Sequence, residues 1–125
     1  LQPIFSIVMR LTYWQETLEL IKSHPLAGIG PGNFDLLRSR YAHNSYLQLW
    51  AETGIFGLLA FIWLILSIVK YNLQSLKCGP SKTQTALLLT SCVAFLIHNL
   101  ADLTFFLPEV SLIFWALAGI LFSLR

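Results

Sequence analysis

Charge is scarce in this chain: only 11% of its 125 residues are Asp, Glu, Lys or Arg, against about 25% in an ordinary soluble domain. With 56% hydrophobic residues, that scarcity excludes a conventional water-soluble domain and points to an integral membrane protein. The formal net charge is +2, and the eight basic residues are spread from Arg10 to Arg125 without forming a patch, so nucleic acid is excluded as a partner. Cysteine is nearly absent. Cys78 falls in a polar loop and Cys92 in an apolar run, with no CxxC and no Cys/His metal spacing, which leaves neither a disulfide framework nor a metal site. No GK[ST] loop or dinucleotide fingerprint is present, and no cofactor is expected. There is also no initiator Met and no signal-peptide pattern, and the last apolar run stops at Arg125; the chain reads as part of a longer one.

What the chain does have is long apolar runs. They fall at about 54–71, 85–106 and 110–124, where a bilayer core requires about 20 helical residues. Lys70, Lys77 and Lys82 mark the connection between the first two, and Arg125 follows the third; the joint at Leu107–Glu109 carries no base. Basic residues favour the cytoplasmic side. The Lys-rich loop and the C-terminus are therefore expected inside, and residues 1–53 outside. The expected fold is all-α, a polytopic membrane protein fragment with three transmembrane helices preceded by a helical extracytoplasmic loop.

That outer segment has internal order. Met9–Lys22 predicts an amphipathic helix with Trp14, Leu18 and Ile21 on one stripe, stopping at Ser23, His24 and Pro25. Arg10 lies within about 40° of Trp14 and Ile21 on a helical projection, which aims its charge at a buried or lipid-facing side. PLAGIGPGNF follows as a turn-rich loop. Its glycines also allow a phosphate cradle, although the pattern matches no known phosphate motif. A further helix is expected to resume near Arg40. If it continues unbroken into the first span, His43, Leu47, Trp50, Gly54, Gly57 and Phe61 share one face and Glu52 points the other way. On that face the glycines permit close approach of a helix or a ligand. The alternative is simpler: helix-packing glycines and an interfacial polar histidine.

HNSYLQLWAETGIFG, in which His-Asn is followed by nine residues and then GxxG, resembles the signature of the O-antigen ligases and their polymerase relatives. RLTYW, HPLAGIGPGNF, AHNSYLQLWAETG and HNLADLTFFLPE occur in an order similar to that family's C-terminal half. The resemblance implies an inverting, metal-independent glycosyltransferase of the bacterial inner membrane. Its donor would be a glycan on undecaprenyl diphosphate, and its acceptor a hydroxyl of lipid A core (ligase), of another growing glycan (polymerase) or of a protein side chain. By position, His43 would serve as general base or acceptor-positioning residue, since imidazole titrates near neutrality. Arg10 would hold the diphosphate leaving group bidentately. Its structural alternatives are a cation–π pair with Trp14 or snorkelling to headgroups. Asn44, Arg38 and Arg40 are candidate substrate-binding residues, with solvated surface charge as the alternative for the two arginines.

His98 and Asp102 form an i, i+4 pair at the outer end of the second run. Ionisable residues at such depth are functional candidates; alternatively they satisfy each other, or Asp102 pairs with Arg10 and holds the outer segment down. Trp14, Gly54 and Gly57 are expected in supporting roles. Two other classes remain open, an anion transporter of the bicarbonate type and a membrane scaffold. Chemistry is favoured over transport by an outer His43 beside Arg10 and by the expectation that no helix is interrupted at mid-membrane depth.

Overall fold

The computed structural model describes residues 2–34, 41–78 and 82–123. Helix α1 spans Gln2–Ser23, α2 Ser45–Cys78, α3 Lys82–His98 and α4 Pro108–Ser123, with a 3-10 turn at Thr104–Phe106 between the last two. No strand occurs among the described residues. The fold class is all-α, as expected.

The ends of α1 and α4 are written locally. Ser23 Oγ and the His24 amide both donate to the Leu20 carbonyl, at 2.8 and 3.1 Å, closing the last turn of α1 just before Pro25 rules out continuation. Pro108 opens α4, where a missing N–H costs nothing, with Glu109 in the first turn. The start of α1 differs from expectation: it begins at Gln2, seven residues before Met9. Its buried side runs through Thr17 and Ile21 with Tyr13 and Trp14 half-buried, whereas Leu18 and Arg10 are exposed.

Among the described residues one helix, Ser45–Leu76, is both long and apolar enough for a full span, while α1, with 22 residues, has the length but not the hydropathy. α3 and α4, with 17 and 16 residues, give roughly 25 Å of helix each against a hydrocarbon core of about 30 Å. The second expected span, 85–106, stops at His98 because the Asn99–Asp102 backbone turns away. The Leu100 amide bonds Ile97 and the Ala101 amide bonds His98, both in tight i−3 fashion.

α2, α3 and α4 pack against one another, and α1 packs on α2. Two apolar clusters result. The larger, built on Leu89, Cys92, Phe114 and Leu121, lies between α2, α3 and α4, and a second, built on Ile21, Phe34, Ala42 and Ala51, glues α1 and its loop to the start of α2. At the start of α2, Ser45 meets Asn99 and Asp102.

The largest departure from the sequence reading lies in α2. No unbroken helix runs from Tyr41 into the span: the helix starts at Ser45, and Gly54 inside it has φ 71° and ψ −175°, a region open essentially to glycine alone. The break frees the groups that would have bonded across it, and the 25–30 loop takes them. Ile29 and Gly30 amides donate to the Ala51 and Glu52 carbonyls at 2.9 Å each, and the Ile55 amide donates to the Pro25 carbonyl at 3.0 Å. Exchange of this kind pairs three amides with three carbonyls across the break. A side chain on Gly54 would collide with the Leu26 carbonyl.

Candidate active site

Four residues in a row, His43 to Tyr46, form the corner that joins the outer segment to the bundle. Asn44 is the N-cap of α2. Its Oδ1 accepts from the Tyr46 and Leu47 amides at 3.0 and 3.1 Å, two of the donors a helix start leaves unpaired. Its Nδ2 donates to the Leu100 carbonyl at 2.9 Å. The Ser45 amide donates to the Asn99 and Asp102 carbonyls, both at 3.0 Å, and Ser45 Oγ donates to Asn99 Oδ1 at 2.6 Å. Tyr46 Oη donates to the Leu96 carbonyl at 2.7 Å. Apart from Asn44 Oδ1 itself, these acceptors lie at or just past the C-terminal end of α3, where backbone carbonyls lack helical partners and the helix dipole is negative.

Arg10 joins the same end from α1, its guanidinium donating to the Ala101 carbonyl at 3.2 Å. The side chain is exposed, so of the two orientations expected from the helical projection, buried or lipid-facing, the buried one does not hold; a cation at a helix C-terminus is favoured without burial. Asp102 is not its ion-pair partner among the described residues. Asp102 Oδ2 meets His98 Nε2 at 3.1 Å, and Oδ1 accepts from the Leu103 amide at 2.8 Å. The two residues thus satisfy each other, one of the alternatives read from their spacing.

His43 occupies a left-handed conformation, φ 49°, uncommon for a residue with a side chain. It therefore lies outside α2 and does not share a helical face with Gly54, Gly57 and Phe61. Its imidazole stacks on the Tyr13 ring with centroids 5.8 Å apart and planes inclined by 27°. With Tyr41, Asp102, Leu103, Phe106 and Leu107 it lines a cleft of about 240 Å³. Phe106 is shared with an adjoining cleft of about 180 Å³ lined by Ser45, Tyr46, Leu49, Phe61 and Phe105, so an imidazole and a carboxylate border an aromatic recess. A cleft with an apolar wall and few polar groups suits a ligand that is part polar and part lipid.

The glycines of the motif play parts other than helix packing. Gly54 admits the Pro25–Gly30 backbone, and Gly57 leaves room for the Thr53 side chain one turn earlier in the same helix. The Gly-rich loop is likewise spoken for: the Gly32 amide donates to Glu52 Oε2 at 3.0 Å, and Gln48 Nε2 donates to Glu52 Oε1 at 3.2 Å. Trp14 is half-buried, with no acceptor for its indole N–H among the described residues. Arg38 and Arg40 lie outside the described residues. No cluster of three or more His, Cys, Asp or Glu side chains suited to a metal ion occurs among the described residues.

The interruption at Gly54 also bears on transport. It lies nine residues into α2, and helix continues to Cys78, about 36 Å at 1.5 Å per residue. The remainder alone exceeds a bilayer core of about 30 Å. The freed carbonyls of Ala51 and Glu52 are filled by the chain's own amides, unlike the open carbonyls that coordinate ions in the broken helices of transporters.

A family model described as O-antigen ligase matches residues 3–62. That segment, just under half of the chain, is similar to the O-antigen ligases. The matched residues include Arg10, Tyr13, His43, Asn44, Gly54 and Gly57, so the corner and the helix break both fall within the matched segment, while His98 and Asp102 lie beyond it. The O-antigen ligases are glycosyltransferase-like proteins of the bacterial inner membrane, consistent with a span-length α2. A Haemophilus influenzae protein described as uncharacterized is 25% identical over 119 residues, covering 83% of this chain and 29% of that protein. The chain therefore spans under a third of that relative's length. No solved structure gives a significant match.

Reading the sequence alone missed Tyr13, Ser45, Tyr46, Gln48, Glu52 and Asn99. An Asn-Ser pair just before an apolar run is a helix-start signal, and Gln48 with Glu52 has i, i+4 spacing. Both could have been found. The Tyr13–His43 stack joins residues 30 positions apart and left no local signal.

Proposed function

We propose that the chain is part of a membrane glycosyltransferase of the O-antigen ligase type, which moves a glycan from undecaprenyl diphosphate to a hydroxyl of lipid A core on the outer side of the bacterial inner membrane. The observation that carries this reading is the placement of His43: within the family segment its imidazole borders a cleft, and Arg10 reaches the α3 end that forms the cleft's other side.

In this reading His43 accepts the acceptor's hydroxyl proton as that oxygen attacks the anomeric carbon. The bond from carbon to the diphosphate oxygen breaks, its electron pair leaves with the diphosphate, and the configuration at carbon inverts. Arg10, exposed and bonded to Ala101 next to the cleft residue Asp102, turns from that carbonyl to the leaving diphosphate and stabilises its growing charge. Arg38, Arg40 and Asn44 are assigned to donor binding. The polymerase relatives would share the donor steps and differ in the acceptor.

The test uses the full-length protein in membrane vesicles, with undecaprenyl-diphosphate-linked glycan as donor and lipid A core as acceptor. His43→Ala is expected to lower the rate of undecaprenyl diphosphate release by about 10²- to 10⁴-fold, and Arg10→Ala to raise the donor KM and lower kcat. Wild-type release from His43→Ala would remove the base assignment.

A further inference from the structure

A general base works only when its ring is held in one orientation, and a third group hydrogen-bonded to the ring usually does this. His43 has no such group: no hydrogen bond reaches its ring among the described residues. The carboxylate in the same cleft, Asp102, has one oxygen on His98 and the other on the Leu103 amide. The backbone gives little help, since His43 stands outside α2 just before the cap residue. What touches the ring is Tyr13.

We infer that Tyr13 is the positioning residue of this site, holding the His43 imidazole by ring stacking where related sites would use a hydrogen bond. The inference rests on the reading of His43 as base. A separation of 5.8 Å with planes at 27° lies inside the range of favourable offset stacking. Stacking engages the face of the imidazole only. Both nitrogens lie in the ring plane, so the lone pair that takes the proton stays open to the cleft while rotation about the Cβ–Cγ bond is restricted.

The platform is itself anchored. Tyr13 is half-buried on α1, Thr17 one turn later is fully buried, and Thr17 Oγ1 donates to the Tyr13 carbonyl at 2.6 Å. Arg10 lies three residues before Tyr13, so both project from neighbouring positions on one helix surface and Arg10 ties that surface to Ala101. One rigid helix thereby sets the distance between the group that holds the base and the proposed leaving-group cation.

The test again uses the full-length protein with undecaprenyl-diphosphate-linked glycan and lipid A core. Tyr13→Phe, which keeps a stacking ring, is expected to retain kcat. Tyr13→Leu is expected to lower kcat roughly 10- to 100-fold, the scale of a misplaced catalytic group, with the donor KM unchanged and normal amounts of folded protein. If Tyr13→Leu does not accumulate, Tyr13→Met against Tyr13→Trp makes the same comparison, with the ring restoring the rate. Equal kcat for Leu and Phe, or for Met and Trp, overturns the inference while leaving the base assignment intact, provided His43→Ala is inactive. A loss that appears in donor KM alone also overturns it. An active His43→Ala overturns the base assignment and the inference with it.

Discussion

Replacing Gly54 by alanine separates two pictures of α2 by the sign of the effect. In a continuous helix the substitution would stabilise by about 1 kcal/mol, because alanine is the better helix former. At φ 71° and ψ −175° the backbone is strained for any residue with a side chain, at about 1–3 kcal/mol. The new methyl would also meet the Leu26 carbonyl, a backbone atom held by the loop rather than a side chain able to rotate away. Relief requires the Pro25–Gly30 loop to lift, which sacrifices the bonds from Ile29, Gly30 and Ile55 at roughly 1 kcal/mol each. The expected loss is therefore roughly 4–6 kcal/mol, enough to unfold the outer segment locally without melting the α2–α4 bundle. Thermal unfolding of the full-length protein in detergent, with limited proteolysis read at residues 24–34, is the measurement. A Gly54→Ala protein with an unchanged or higher melting temperature and a protected loop refutes the break.

Gly57→Ala is expected to cost about 1–3 kcal/mol, because its methyl meets Thr53 Oγ1, which rotates away at the cost of its 2.7 Å bond to the Leu49 carbonyl, and also Thr53 Cβ, which no rotation moves; Thr53→Ala in the same protein should recover only part of that loss in the melting curve. Asn99→Ala should cost about 1–3 kcal/mol, since it strips the acceptor from the Phe105 amide and leaves Ser45 Oγ only the Asp102 carbonyl. A melting temperature within a degree of wild type would show that these groups find other partners.

Much of the fold was legible because its signals are local. Pro25 and Pro108 mark a helix end and a helix start, and the apolar runs mark the bundle. The all-α class and the stop of α1 needed nothing else. Gly54 was not legible in the same way: a GxxG pattern in an apolar run is equally the mark of helix packing, and only the loop 24–29 residues earlier in the chain decides between a packed and a broken helix. The same error moved His43 onto a helical face it does not occupy. The pairing of His98 with Asp102 was readable from i, i+4 spacing, whereas the place of Arg10 was not, because its acceptor is a backbone carbonyl 91 residues away. Side-chain identity announces helices and caps, but it does not announce which carbonyls a turn will leave free.

The donors at the end of α3 have a consequence for the order in which the protein is made. Arg10, Asn44, Ser45 and Tyr46 leave the ribosome 50 to 91 residues before the carbonyls that they bind. At roughly 5–20 residues per second, the outer segment waits on the order of several seconds, with its cap residues bonded to water, until α3 has been inserted and has turned at Asn99. The corner that carries His43 is thus closed late, by a helix synthesised after it, and a nascent chain cut short before residue 99 would present Arg10, Asn44 and Ser45 without the carbonyls past α3 that bind them.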